Sequence, residues 1–142
     1  MPTVAAVCAF LDRFAPPALA ADWDNVGLLL GDEAAEVGRV VTCLTVTPNV
    51  VAEAIDEKAD LIVTHHPILF RGAKRLSTTT AEGRLLWPLA RAGVAVYSPH
   101  TAFDNTVGPI GAHSINWKVF LSNGDVFGVS KTDRKIRCTR VV

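Results

Sequence analysis

Two adjacent histidines stand at the end of a short apolar run, and they are the residues of this chain best suited to chemistry. His65 and His66 follow the run Leu61–Thr64, and a second apolar run ends shortly before His100 and Asp104. Imidazole and carboxylate groups are common protein ligands of zinc, iron and manganese. A lone histidine at a strand end more often forms an ordinary hydrogen bond. Two strand ends with such residues favour one shared metal site.

The two segments are expected to meet because both follow strands. In an open α/β sheet, ligands bind at the carboxyl ends of parallel strands. Pro67 biases the backbone of His66 towards an extended form, in which neighbouring side chains point apart. The histidine pair then suits two ions better than one, with the Asp104 carboxylate as a bridge. His100 is open to three interpretations: a ligand, a residue that supports a ligand, or a proton shuttle.

Two further groups of polar residues have competing interpretations. Asp22, Asp24 and Asn25 could form an acidic cluster near the site, but the position of Asp24 and Asn25 before a strand favours a simple turn. A basic loop could contact a phosphate-bearing substrate, although three charges on a loop are usually only solvated. Its residues are Arg71, Lys74 and Arg75.

Three helices are predicted around the strands from capping residues and apolar spacing. Thr3 is suited to cap the first helix, and the pair Thr47-Pro48 is suited to begin the second. A third is expected to start among residues 78–80 and to stop at Gly93. These helices must cover the sheet that carries the site.

Four short apolar runs predict the strands, at residues 28–30, 40–46, 61–64 and 94–98. Strands that alternate with helices through short connections are typical of right-handed crossovers and a parallel sheet. We therefore predict an α/β fold, a three-layer open and mainly parallel sheet with flanking helices.

Composition excludes several classes of protein. The 142 residues are 49% hydrophobic and 20% charged, which suits a globular core. The three cysteines are far apart and form no CxxC motif, so we expect a reducing cytoplasm and no thiolate zinc site. No apolar run is long enough to span a membrane, and no basic, apolar leader is expected at the N-terminus. Phosphate-binding and serine-hydrolase motifs are also missing from the sequence.

The assembled motifs resemble those of a known family. The matching stretches are WDNVGLL at 23–29, TVTP at 45–48, DLIVTHHP at 60–67 and YSPHTAFDN at 97–105. In this order the chain is similar to the Nif-three-like dinuclear metal centre family, also known as GTP cyclohydrolase I type 2 homologues. The resemblance covers residues 1–106, the N-terminal half of the family fold.

The resemblance implies a toroidal hexamer with two metal ions per site, which could be zinc, manganese or iron. It places His65, His66 and Asp104 at positions of metal ligands. Thr45 stands where members often have aspartate. The family completes its site with a histidine and a glutamate near the end of a longer chain, and we find no counterpart after Asn105. Three ligands in place of five predict weak metal binding.

The remaining residues, 107–142, differ from the first part in charge. Residues 1–106 carry 8 basic and 12 acidic side chains, whereas 107–142 carry 6 basic and 2 acidic. The second part is interpreted as a divergent basic tail with a β-hairpin around Asn123-Gly124, poorly packed on the first. A truncated, fused or frame-shifted product would explain the change. The basic stretch 131–140 contains no recognisable nucleic-acid-binding motif, so nucleic acid is not an expected partner.

Function is left with competing hypotheses. The first is a divalent-metal protein that acts as a metal-dependent hydrolase on a nucleotide-like or heterocyclic small molecule. The second is a non-catalytic metal-binding or interaction module, and the third a truncated, inactive member of the family. The half of the family fold that the motifs match would leave a sheet edge and an apolar surface uncovered. This predicts a chain that self-associates or is poorly soluble. A homo-oligomer is therefore expected, and a membrane partner is not.

Overall fold

Three parallel strands form the centre of a five-stranded sheet. The computed structural model describes residues 1–111 and the strands at 116–120, 126–130 and 137–140, with side chains through residue 106. The strands are β1 (Gly27–Leu30), β2 (Arg39–Cys43), β3 (Leu61–Thr64), β4 (Ala95–Ser98), β5 (Asn116–Phe120), β6 (Val126–Ser130) and β7 (Arg137–Arg140). The order in the sheet is β1-β4-β3-β2-β7, with β2, β3 and β4 parallel and the two edge strands antiparallel to their neighbours.

Helices cover both faces of this sheet, which gives three layers. Their bounds are α1 (Val4–Phe14), α2 (Pro48–Asp56), α3 (Ala81–Ala92) and α4 (His100–Gly111). Side chains that alternate along the central strands divide between two cores. Leu61 and Tyr97 pack with α1, whereas Ile62 and Val96 pack with α2 and α3. The predicted α/β class, with a mainly parallel sheet between flanking helices, is confirmed.

Threonine caps begin three of the helices, each at a start that the sequence predicts. The hydroxyls of Thr3, Thr47 and Thr80 accept hydrogen bonds from backbone N–H groups three residues later. Helix α3 tolerates an internal proline at Pro88 and ends at Gly93, whose φ of 72° is the left-handed conformation that glycine adopts easily. These caps set where the helices begin and end between the strands.

Helix α4 was not predicted from the sequence, although its residues were chosen as site candidates. It begins directly after β4 and packs near a short 3₁₀ turn at Pro17–Leu19. Ala102 and Phe103 of α4 are buried against Ala15, in a third small core. This packing brings His100 and Asp104 onto the first turns of one helix at the end of β4.

The last part of the chain contributes strands to two sheets. Strands β5 and β6 pair as an antiparallel hairpin, in agreement with the hairpin expected there, while the Asn123-Gly124 turn lies outside the described residues. Strand β7 was not predicted, and it extends the main sheet by pairing with β2 from Arg39–Arg140 to Thr42–Arg137. No helix in the described part of the chain is both long and apolar enough to cross a membrane.

Candidate metal centre

Three histidines converge at the carboxyl ends of β3 and β4. One potential ligand atom from each of His65, His66 and His100 lies within 4.8 Å of the others. Two of them follow β3, and the third begins α4, one residue after the end of β4. Because β3 and β4 are adjacent parallel strands, their ends deliver these side chains to one place. The predicted meeting of the two strand ends is what the geometry shows.

The neighbouring histidines face each other more closely than their predicted extended backbone allows. The ring centroids of His65 and His66 are 5.1 Å apart, with the rings inclined at 56°. Strand β3 ends at Thr64 and the chain bends at both histidines, so the alternation of side chains along a strand no longer applies. The expectation that the pair points apart was wrong for this reason.

Backbone hydrogen bonds hold the bend in place. The N–H groups of His65 and His66 donate to the carbonyls of Cys43 and Leu44, at 3.2 and 2.9 Å. The hydroxyl of Ser98 at the end of β4 donates to the His65 carbonyl at 2.8 Å. The backbone of the two histidines is thereby tied to the strands on both sides.

His66 is also anchored through its ring. The Oγ1 atom of Thr45 lies 2.7 Å from His66 Nδ1. Thr45 is the residue that stands where the resembling family often has aspartate. A hydroxyl can still bond to the ring nitrogen, so the substitution keeps a hydrogen-bonding partner behind the imidazole while removing a negative charge.

Asp24 fixes the third histidine, and this role was missed by the turn interpretation. His100 Nδ1 lies 2.8 Å from Asp24 Oδ1, and the Asp24 side chain has no exposed surface. The other carboxylate oxygen accepts from the backbone N–H and the hydroxyl of Thr101. The N–H of Asn25 donates to Asp24 as well, at 2.8 Å, so a local bond of the predicted kind does exist.

The hydrogen bonds around Asp24 lower the pKa of its carboxyl group. Burial raises the pKa of this carboxyl, but the bonds from His100, Thr101 and Asn25 favour the ionised form more strongly, and the net result is a lowered pKa. An ionised carboxylate can only accept, so His100 Nδ1 carries the proton. The Nε2 lone pair of a neutral His100 ring is then available to a cation.

The backbone of His100 supports a special function for this residue. Its backbone φ is +26°, in a range that residues other than glycine rarely adopt. Such strain costs on the order of 1–3 kcal/mol and persists only where surrounding contacts hold it. The bonds of Asp24 to His100 and to Thr101 are those contacts.

Asp104 lies beside the histidines but on the edge of the cluster. Its Oδ2 atom is 3.6 Å from His65 Nε2, and both side chains are partly buried. Two ligands of one zinc ion stand at most about 4.2 Å apart, because each lies about 2.1 Å from the metal. The separation therefore suits two groups that share a cation.

Two aromatic side chains border the site on its exposed side. The rings of Trp23 and Phe70 have centroids 6.3 and 6.2 Å from that of His100. Both are largely open to solvent, and they contact each other edge to face. The predicted basic loop follows Phe70, with Arg71, Lys74 and Arg75 all exposed.

The buried cysteines do not contribute to this centre. Cys8 and Cys43 lie in the two cores on opposite faces of the sheet. Burial raises the pKa of each thiol to about 11. Both thiols stay protonated at neutral pH, and the thiolate is the form that binds metal. Within the described side chains, the donors at the centre are imidazole nitrogens and carboxylate oxygens.

Comparison with known proteins decides the family. A family model described as Duf34/NIF3 (NGG1p interacting factor 3) matches residues 2–128. The chain belongs to the Duf34/NIF3 family. It is 38% identical over 99 residues to the GTP cyclohydrolase 1 type 2 homolog of Clostridium acetobutylicum, covering 70% of this chain and 37% of that protein. The resemblance found in the sequence motifs is thus confirmed.

Solved Duf34/NIF3-like structures share the fold. The crystal structure of a Staphylococcus aureus hypothetical protein, 37% identical, superposes with a TM-score of 0.70 over 73% of this chain and 30% of that one. The Clostridium perfringens GTP cyclohydrolase 1 type 2 homolog is 33% identical over 132 residues, covering 93% of this chain and 50% of the relative. The chain spans at most half the length of these relatives. The family match also continues past residue 106, where the motif resemblance ends.

Proposed function

We propose that this Duf34/NIF3 chain binds divalent metal through His65, His66, His100 and Asp104. The observation that carries the proposal is the convergence of three imidazoles, with ligand atoms within 4.8 Å of one another, at two adjacent strand ends. Zinc, iron and manganese all accept this mixture of nitrogen and oxygen donors. Of the three interpretations of His100, we adopt that of a ligand, because Asp24 bonds to Nδ1 and leaves Nε2 on the other side of the ring for a cation.

We propose a pair of ions at this site, as the resemblance to the family implies. Four protein donors would satisfy one tetrahedral ion, and histidine ligand atoms within 4.8 Å of one another are also compatible with two ions about 3.5–4 Å apart. Asp104, whose Oδ2 atom lies 3.6 Å from His65 Nε2, is the carboxylate that we propose as the bridge between them. Positions that the chain does not fill would be left to water, which keeps the affinity low.

A hydrolase-like activity is the chemistry that we propose for the site. Paired divalent ions would supply an activated water and would polarise the bond that it attacks. The chain's own contribution is to fix the imidazoles through Thr45 and Asp24 and to leave one side of the cluster open beside Trp23 and Phe70. This chain spans 37% of the length of the Clostridium acetobutylicum relative.

A non-catalytic metal-binding or assembly module is the second candidate. It is favoured by exposed apolar side chains such as Phe14, Leu44 and Leu76, which suit contacts between copies. In that case metal uptake remains but no water-dependent cleavage of a small molecule accompanies it.

Metal uptake by purified full chain tests the proposal. In equilibrium dialysis with zinc or manganese, we expect His65→Ala, His100→Ala and Asp104→Ala to lose most of the uptake. Asp56→Ala, which removes an exposed carboxylate from α2, should bind as the parent does. Parent-like uptake by all three site variants, with folding verified by circular dichroism, would show that the assignment is wrong.

A further inference from the structure

Two large aromatic rings are exposed beside the candidate metal centre, and we refer to Trp23 and Phe70 as the aromatic wall. Trp23 is 64% exposed and Phe70 is 43% exposed. Their centroids lie 5.7 Å apart with an angle of 67° between the rings, an edge-to-face contact. The pair keeps much of its apolar surface in water, which the fold itself does not require.

The wall stands against a histidine of the cluster. Each ring is nearly perpendicular to that of His100, at 77° for Trp23 and 87° for Phe70. His100 is in turn 5.2 Å from His65 and 5.8 Å from His66 between ring centroids, so the wall adjoins the histidine cluster. A molecule that covers the wall therefore lies next to the donor atoms.

The wall is held in place by polar contacts of its neighbours. Asn25 Nδ2 donates to the carbonyl of Leu69 at 2.6 Å, which joins the segment of Trp23 to the segment of Phe70. Asp24, between Trp23 and Asn25, is buried and anchored to Thr101. Exposed rings on anchored segments lose little freedom when a flat molecule covers them, which favours binding.

Charge on the Phe70 side of the wall is positive, whereas Asp22 and Asp24 flank Trp23 on the other side. Arg71 follows Phe70 directly, and Lys74 and Arg75 follow in the same exposed loop. No acidic residue occurs between Asp60 and Glu82. The three cations of the loop therefore have no carboxylate within this stretch of sequence to neutralise them. The loop would attract an anionic group.

We propose that the aromatic wall binds a planar heteroaromatic molecule that carries an anionic group. The flat ring covers Trp23 and Phe70, and the anionic group interacts with the basic loop that begins at Arg71. The inference rests on the proposed function in placing this ligand beside the metal centre, but the wall and the loop do not themselves hold metal. A second copy of the chain seated on the wall is the competing occupant.

Adenosine 5′-monophosphate is a suitable probe, because adenosine and ribose 5-phosphate each lack one of its two features. Calorimetric titration of the full chain at low ionic strength should show the phosphate ester binding more tightly than either fragment. Stacking of a base on an aromatic side chain implies a loss of roughly five- to a hundredfold in affinity for Trp23→Leu and for Phe70→Leu. Trp23→Phe, which keeps a ring, should retain most of the binding.

Matched controls exist on other surfaces. Trp87 on α3 is 41% exposed and Phe14 on α1 is 43% exposed, so their leucine variants remove comparable rings away from the wall. Arg91→Ala on α3 is the control for Arg71→Ala, which should weaken the phosphate ester but leave adenosine binding unchanged. Control variants should bind all three probes as the parent does.

The outcomes separate this inference from the metal proposal. If zinc uptake fails in the parent while Trp23→Leu still weakens the probe, the metal proposal fails and the wall stands. If zinc uptake depends on His65 as proposed but folded Trp23→Leu and Phe70→Leu bind the probe like the parent, the inference is overturned. It is overturned equally if the probe does not bind and light scattering shows that the parent is associated whereas these two variants are monomeric. A second copy of the chain then occupies the wall.

Discussion

Asp24 is the residue through which the cluster depends on a distant part of the chain. Both of its oxygens accept hydrogen bonds, one from His100 and Asn25 and the other from Thr101. In Asp24→Asn, an amide NH₂ group replaces one of the two carboxylate oxygens. It then faces a hydrogen-bond donor of His100 or Thr101 instead of accepting from it. We expect zinc affinity to fall by about ten- to a hundredfold, as for other groups that orient a metal-binding histidine.

The matched control is Asp22→Asn, two residues away, where the side chain is exposed. Zinc dialysis of both variants beside the parent measures the difference. Equal affinity in Asp24→Asn and Asp22→Asn would show that the bond to His100 does not orient a ligand. Circular dichroism separates this effect from unfolding.

The sequence could reveal His65 and His66 but not Asp24, and the reason is distance along the chain. The histidine pair follows its own strand, so a local pattern is enough to mark it. The bond between Asp24 and His100 joins residues 76 positions apart. An Asp-Asn pair before a strand has a sufficient local explanation as a turn, and only the packing of α4 brings the carboxylate to the imidazole.

Tyr97 allows a pH-dependent prediction, because it is the chain's single tyrosine. Burial raises its pKa well above the ordinary value, and a 2.6 Å hydrogen bond to Asp12 adds to the shift. A raised pKa in the folded state contributes stability below the unfolded value of about 10 and loses it as pH rises further. Tyrosinate absorbance should therefore appear only with unfolding, above that pH.

Tyr97→Phe provides the comparison for this titration. The variant loses the bond to Asp12, so its unfolding free energy should be lower by about 1–2 kcal/mol at neutral pH. Above pH about 10 the parent should lose stability relative to the variant, because only the parent has a phenol to ionise. Tyrosinate that forms in the folded chain near that pH would contradict the prediction.

At the scale of elements, the start of α3 depends on a glycine within the helix. Alanine normally stabilises a helix relative to glycine by up to about 1 kcal/mol. A Cβ at Gly83 would lie 1.8 Å from the carbonyl oxygen of Ser77, which already accepts from the N–H and hydroxyl of Thr80. We expect Gly83→Ala to lower the unfolding free energy by about 1–3 kcal/mol.

Gly72→Ala is the control, because nothing lies within 4 Å of a Cβ built there. Its effect should stay within about 0.5 kcal/mol in either direction. Urea unfolding followed by far-ultraviolet circular dichroism measures both variants. A stabilised Gly83→Ala chain would mean that the turn at Ser77 moves without cost.

Elements with strong local signals were the predictable ones. Thr47-Pro48 and Gly93 mark a helix start and a helix end by their own chemistry, and the structure uses them so. Helix α4 has a weak local signal, since glycine and proline occur in its second half. Strand β7 pairs with β2, nearly a hundred residues earlier in the chain, and no local pattern encodes such a pairing.

At the scale of the whole molecule, the two edges of the main sheet are formed by β1 and β7. The sequence-based boundary at residue 106 makes residues 107–142 a separate unit that is dispensable for metal binding. Strand β7 nevertheless continues the sheet that carries the site. We therefore propose that this part has a structural role at the β2 edge, although the metal donors lie at the ends of β3 and β4.

Removal of residues 131–142 tests the two parts of this view together. Without β7, the N–H and C=O groups of β2 from Arg39 to Thr42 lose their antiparallel partner, and an uncovered edge of this kind promotes pairing between chains. We expect light scattering to report a larger average mass for the truncated chain than for the parent at equal concentration. Zinc uptake per folded chain should be unchanged, because His65, His66 and His100 are positioned by β3, β4 and α4 rather than by β7. A truncated chain of parent-like mass would show that the β2 edge needs no cover, and loss of zinc uptake without unfolding would show that the tail takes part in the site.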